Sequence, residues 1–306
     1  MSIFNHPQDV IIKGVMMHGF MDELGRRVLL CDGAMGTMLY SGGVFVNRSF
    51  EELNLTEPDR VASIHRAYLE AGADVLETNT FGANTPKLRG FGLHDQLRRV
   101  NQAGVDLARQ VAGDRAYVAG AIGPLGVMID PHGRTSLTDT EYYFREHAEA
   151  LSDAGVDLFV LETFRAVNEL QVAVRVLRAT CDLPIVAQMA IVDNGVSPDG
   201  VEPEKFVQQL VDEGADLVGV NCGTGSASML ETVGRLAAVT DLPLAAQPNT
   251  GMPREVEGRT ICLSSPVYFA SYARRFVGLG VRLVGGCCGT TPEHIQEVKA
   301  AISCGA

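Results

Sequence analysis

A ten-residue pattern returns four times along the chain, as AGADVLETNT at 71–80, AGVDLFVLET at 154–163, EGADLVGVNC at 213–222 and LGVRLVGGCC at 279–288. Each copy has Gly at its second place, a hydrophobic residue at its third, Asp or Arg at its fourth, and then a short apolar run. The Gly fits a helix C-terminal cap, where left-handed backbone is wanted. The run, short and bounded by turn residues, predicts a strand buried on both faces. The gaps between copies leave room for two helices and one further strand each. Such strands are legible in AYVAGAIGP at 116–124, DLPIVAQMA at 182–190 and DLPLAAQPN at 241–249, and the first lies in VLLCDGAM at 28–35. Between them run helical patterns, such as Val100, Ala103, Leu107 and Val111 on a polar background.

Eight alternating β and α units predict a closed parallel (β/α)8 TIM barrel, with the decapeptides as its even strands in a (βα)2 repeat. Nothing reads as a linker, so 1–306 is taken as one barrel domain, with residues 1–20 as an N-terminal arm or helix. In such a barrel, chemistry sits where strands end and βα loops begin. Those positions carry Asp32, Asn79, Thr80, Glu162, Thr163, Gln188, Asn221, Cys222, Asn249, Cys287 and Cys288. All are expected at one mouth, with Asn79, Thr80 and Asn221 on its wall.

Composition narrows the classes. The chain is 46% hydrophobic with a formal net charge of −12. No Lys/Arg run stands out, which argues against a nucleic-acid partner. No apolar stretch approaches the roughly 18 residues of a membrane span. The first residues lack a signal-peptide core, so a cytoplasmic protein is expected. Seven cysteines, an odd number, at 31, 181, 222, 262, 287, 288 and 304 fit metal binding or catalysis better than a disulfide framework.

Cys222 ends the sixth strand, and Cys287 and Cys288 end the eighth. Adjacent residues on a regular strand face opposite ways. The vicinal pair can face the mouth together only where the strand end is irregular, which Gly285, Gly286 and Gly289 permit. Three thiolates on a divalent ion leave one tetrahedral position open, as in catalytic rather than structural zinc. Such an electron-rich metal suits holding a fourth, nucleophilic sulfur, and so S-alkylation. The other readings are buried cysteines acting as small hydrophobes, which we assign to Cys31, Cys181 and Cys262, and a strained vicinal disulfide. Cys304 is given no role.

Asp32 and Glu162, at the ends of strands one and four, suit the ammonium of an amino-acid substrate; a salt bridge or a structural acid is the alternative. The N–H groups of Gly33 and Ala34 suit a carboxylate. His65, His94 and His294 read as surface or packing residues, and His132 reads as a residue of the loop after strand three, with a ligand contact as the alternative.

CDGAMGTML at 31–39, ETNTFGAN at 77–84, LET at 161–163, GVNC at 219–222 and GGCCGTTPEHI at 285–295 together resemble the homocysteine S-methyltransferase family, over about residues 22 to 303. Within it the chain looks nearest to the homocysteine-binding module of cobalamin-dependent methionine synthase. It is also similar to betaine–homocysteine, S-methylmethionine-dependent and selenocysteine methyltransferases. The resemblance implies zinc on Cys222, Cys287 and Cys288, with homocysteine sulfur at the open position. It implies Asp32 and Glu162 on the homocysteine ammonium. Asn249, in QPNTG, matches an Asn that approaches the metal when substrate is absent; a hydrogen bond within its own turn is the alternative. Betaine users carry a Tyr after the strand-two TF motif where this chain has Gly82, which predicts a wider mouth and speaks against betaine. Phe81 and Phe164 remain as candidates for an aromatic cage. The donor is expected to be a methyl-corrinoid such as methylcobalamin, carried by a partner or free, with a small onium compound as the alternative. A non-catalytic zinc- or thiol-binding barrel of a split methionine synthase is the reading from another class.

Overall fold

A computed structural model describes residues 19–303 apart from 46, 193, 252–253, 257–258 and 262–263. The N-terminal arm expected over 1–20, except its last two residues, and the readings of Cys262 and Cys304 fall outside the described residues. Eight strands form the expected parallel barrel: β1 (Leu29–Leu30), β2 (Val75–Glu77), β3 (Tyr117–Ile122), β4 (Leu158–Phe164), β5 (Ile185–Met189), β6 (Leu217–Gly225), β7 (Leu244–Asn249) and, after an antiparallel hairpin of β8 (Arg254–Val256) and β9 (Arg259–Ile261), β10 (Val281–Val284). Neighbours pair in the order β1-β10-β7-β6-β5-β4-β3-β2. A parallel bridge between Cys31 and Val75 brings β1 back to β2 and closes the ring. The hairpin β8–β9 has no counterpart in the sequence reading.

The decapeptide repeat has a physical meaning at each place. Gly72, Gly155, Gly214 and Gly280 all have positive φ, as the caps require. Asp74 accepts the N–H of Leu30 at 2.9 Å, Asp157 that of Val118 at 2.7 Å, and Asp216 that of Ile185 at 2.8 Å. Each even strand thus fastens the start of the odd strand before it. The three Asp pair with Arg27, Arg109 and Arg178 respectively. In the fourth copy Arg282 takes the Asp position and donates instead to the carbonyl of Leu24 at 3.0 Å. That contact holds the helix Phe20–Arg26 across the N-terminal end of the barrel. Its Phe20 and Leu24 join Leu29, Val75, Tyr117, Leu158, Val186, Leu217, Ala245 and Leu283 in the barrel interior. A second, larger apolar layer lies between strands and helices. One end of the barrel is therefore sealed by apolar packing, and polar chemistry is confined to the other. Among the described residues no helix is long and apolar enough to cross a membrane.

Candidate active site

The three cysteines converge. The Sγ atoms of Cys222, Cys287 and Cys288 lie within 4.8 Å of one another. β10 stops at Val284, so Cys287 and Cys288 sit in a turn beyond it and escape strand alternation, as the glycines suggested. Thr290 buckles this turn: its hydroxyl donates to the carbonyl of Cys287 at 2.6 Å and accepts the N–H of Ala34 at 2.9 Å. Gly286 is required there, because a Cβ would come within 2.4 Å of Thr290. Cys222 is held in left-handed backbone, φ 55°, at an irregularity of β6, a conformation costly for a non-Gly residue. Hydrogen bonds from Cys287 and Cys288, followed by those of Gly223 and Asn249, push the Cys222 thiol down to about 3 against the opposing effect of burial. The same sharing pushes Cys288 up to about 12. The Oδ1 of Asn249 is buried beside the three sulfurs with no hydrogen-bond partner. Three clustered thiols and a free amide oxygen fit a four-coordinate soft divalent ion, whose roughly 2.3 Å Zn–S bonds put sulfurs about 4 Å apart.

The acids converge beside them. Asp32 is buried, and its carboxylate accepts the backbone N–H of Glu77 at 3.0 Å. Glu162 accepts from Asn221 at 3.3 Å. Asn221 also spans to the N–H of Thr163 at 2.7 Å and to its hydroxyl at 2.9 Å. Thr163, with φ 61°, is the second strained non-Gly residue. Burial, and then the charge of Glu77, hold both Asp32 and Glu162 well above the usual carboxylate range. Glu77 itself is raised by burial. It was absent from the mouth positions read off the sequence, although the Leu-Glu-Thr of 76–78 repeats that of 161–163. In the barrel it accepts from Cys31 Sγ at 3.1 Å and from Gln247 Nε2 at 2.8 Å, and shares a hydrogen bond with Glu162. Gln247 in turn accepts from Gln188. This polar layer floors the mouth. Cys31, read as a plain hydrophobe, is buried but hydrogen-bonded within it.

Other expectations fare differently. Ala34 has its N–H taken by Thr290, while Gly33 packs so closely on Thr290 and Tyr68 that a Cβ would meet Thr290 at 2.6 Å. Asn79 and Thr80 are buried, with side chains spent on Phe50 and Asn54 and on Ala121, so they brace the β2 loop rather than present polar groups. Gly82 does not widen the mouth: its N–H binds Glu51 at 2.7 Å, and a Cβ would meet that carboxylate at 2.5 Å. Phe164 is fully buried against Phe144, and Phe81 packs over Gly123 with the ammonium of Lys87 4.1 Å from its ring centre. His132 is exposed, and His65 is buried with both ring nitrogens unpartnered. His94 stands partly exposed, and His294 packs on Phe269 while bonding Ser264.

Against known proteins, the family model described as "Homocysteine S-methyltransferase" matches residues 29–302. The chain is 35% identical over 301 residues to a methionine synthase of Mycobacterium tuberculosis and 34% to that of Mycobacterium leprae, covering 92% of this chain. It spans 25%, a quarter, of the length of these curated relatives. Among solved structures it is similar to the homocysteine methyltransferase MmuM from Escherichia coli in its metallated form, with 26% identity, a TM-score of 0.79, and coverage of 92% of this chain and 99% of that one. With the barrel, the cysteine trio and this match along nearly its whole length, the chain belongs to the homocysteine S-methyltransferase family.

Proposed function

We propose that the chain transfers a methyl group to the thiolate of L-homocysteine, giving L-methionine, with zinc on Cys222, Cys287 and Cys288. The observation that carries this reading is a three-thiol cluster beside Asp32 and Glu162, carboxylates that no Lys, Arg or His among the described residues pairs with. One half suits a sulfur and the other an ammonium, and homocysteine bears both on one short chain. Zinc there would supply a Lewis acid that keeps a substrate thiol as thiolate near neutral pH. Asn249 is the further ligand the donor set offers before substrate arrives. Asp32 and Glu162 take the ammonium, and Gly33 contributes its N–H to the carboxylate. Asn221 fixes Glu162 and Thr163, so the thiolate is aligned for in-line displacement at the methyl carbon. No side chain need act as a base on carbon. The cysteines described are free thiols, which suits the reducing cytoplasm.

For the donor we favour a methyl-corrinoid, such as methylcobalamin, over betaine. The aromatics support this. A quaternary ammonium is commonly held on aromatic faces, and Phe164 is buried while Phe81 already carries Lys87. The resemblance of the sequence to the homocysteine-binding module of cobalamin-dependent methionine synthase favours the same donor class. A small onium donor is favoured by one observation, the near-complete coverage of a solved homocysteine methyltransferase by this single barrel. Initial rates of methionine formation with methylcobalamin, glycine betaine and S-methylmethionine at matched concentrations separate these readings. Methylcobalamin is expected to be fastest. Turnover with betaine and none with methylcobalamin overturns the donor, and no methylation of homocysteine by any donor, on zinc-loaded protein, overturns the acceptor as well.

A further inference from the structure

We infer that Glu77 is a third positioning carboxylate for the substrate ammonium and sets the preference for an α-amino thiol. The inference deepens the reading of Asp32 and Glu162 above and rests on it. A primary ammonium has three N–H donors to place, and two carboxylates from β1 and β4 leave the third to be met. Glu77 is the acid that joins them. Its backbone N–H binds Asp32 at 3.0 Å, and its carboxyl shares a hydrogen bond with Glu162. Its own position is fixed by Gln247 Nε2 at 2.8 Å and Cys31 Sγ at 3.1 Å, and Gln247 is locked by Gln188, which is fully buried. Among the described residues no Lys, Arg or His nitrogen comes within 4.0 Å of any of the three carboxylates.

Three touching acids without a cation are unfavourable for the empty barrel and are retained at a cost in folding. An incoming ammonium offsets that cost. A thiol lacking the amino group does not, and must also leave the acids desolvated. The independent sign of a ligand is the neighbouring cysteine trio, a sulfur site beside this anionic one, with Asn221 reaching both Glu162 and Cys287. Glu77 acts through placement and charge, not on the reacting atoms.

The test compares L-homocysteine with 4-sulfanylbutanoate, the same thiol without the amino group, by calorimetry on zinc-loaded protein. Glu77→Gln is expected to weaken homocysteine about tenfold or more, and 4-sulfanylbutanoate less than about twofold, with zinc content unchanged. In turnover, KM for homocysteine is expected to rise more than kcat falls. Glu77→Asp, which keeps the charge with a shorter reach, is expected to fall between parent and Glu77→Gln, and carries the test alone should Glu77→Gln not fold. Equal loss for both thiols marks a merely structural residue and overturns the proposal, as does homocysteine binding equal to the parent. A parent that shows no preference for homocysteine over 4-sulfanylbutanoate overturns the ammonium reading of Asp32 and Glu162 itself.

Discussion

At the residue scale the site is built from groups in unfavourable states. Cys222 and Thr163 hold left-handed backbone, and Asp32, Glu77 and Glu162 hold their carboxyls above the usual range. A carboxyl raised in the folded state contributes stability below its unfolded value, near 4.5 for Glu, and loses it as pH rises through the folded value. Glu162→Gln removes that loss. Its melting temperature, measured on zinc-loaded, substrate-free protein, is expected to exceed the parent's by about 2 °C or more at pH 8, with the gap closing toward pH 5. A constant gap across that range shows that Glu162 does not titrate abnormally. The cysteines make a separate case. Cys222→Ser, Cys287→Ser and Cys288→Ser are each expected to lower zinc retention on dialysis against a chelator, since loss of one thiolate breaks the set. Retention equal to the parent's in all three removes the zinc site. The residues legible in the sequence here were those at strand ends or in unusual strings, above all the vicinal Cys pair. Glu77 was missed because the decapeptide reading carries the strand on to Asn79 and Thr80, whereas β2 ends at Glu77 and makes it the strand-end acid.

At the element scale the chain separates stability from chemistry. The helix Phe20–Arg26 plugs the end of the barrel away from the cysteines, with Phe20 edge-on to Tyr117 at 5.5 Å. Phe20→Ala is expected to cost about 3–5 kcal/mol in urea unfolding, as large core truncations do. KM for homocysteine and zinc content are expected to hold. A rise in KM comparable to that of a mouth variant means the plug shapes the site. The strands were legible because apolar runs between turn residues leave few alternatives, and the four glycines marked helix ends correctly. Helix faces were less so. The pattern Val100, Ala103, Leu107, Val111 gave the helix Leu97–Ala112, yet its buried stripe also runs through Asn101, Gly104, Val105 and Ala108. Asn101 bonds Ala83 and Leu97 there, and Gly104 packs against Thr80 and Asn54. A polar residue whose amide donates into a tertiary contact, as that of Asn101 does to Ala83, looks like a surface residue in sequence.

At the scale of the whole molecule, the proposed zinc site stands apart from the apolar core. The cysteine trio lies at the mouth, whereas the two large apolar clusters lie within and around the barrel. Chelation is therefore expected to abolish methyl transfer while leaving far-ultraviolet circular dichroism and cooperative thermal unfolding in place. The midpoint is expected to drop only by the linkage to bound ion. Loss of secondary structure on chelation instead makes the zinc structural.

The sequence by itself determined the eight-strand order, the cap at each repeated Gly, and the side of the barrel on which the cysteines and two acids gather. Local periodicity and βα alternation suffice for these, because parallel strands place every βα loop at one end. The tertiary structure alone decided who touches whom across that end. It filled the space at Gly82 with Glu51, took the Ala34 N–H with Thr290, turned Asn79 and Thr80 inward, and brought Glu77 against both predicted acids. Those contacts join residues far apart in the chain. They depend on ring closure and side-chain direction, which no run of neighbouring residues encodes.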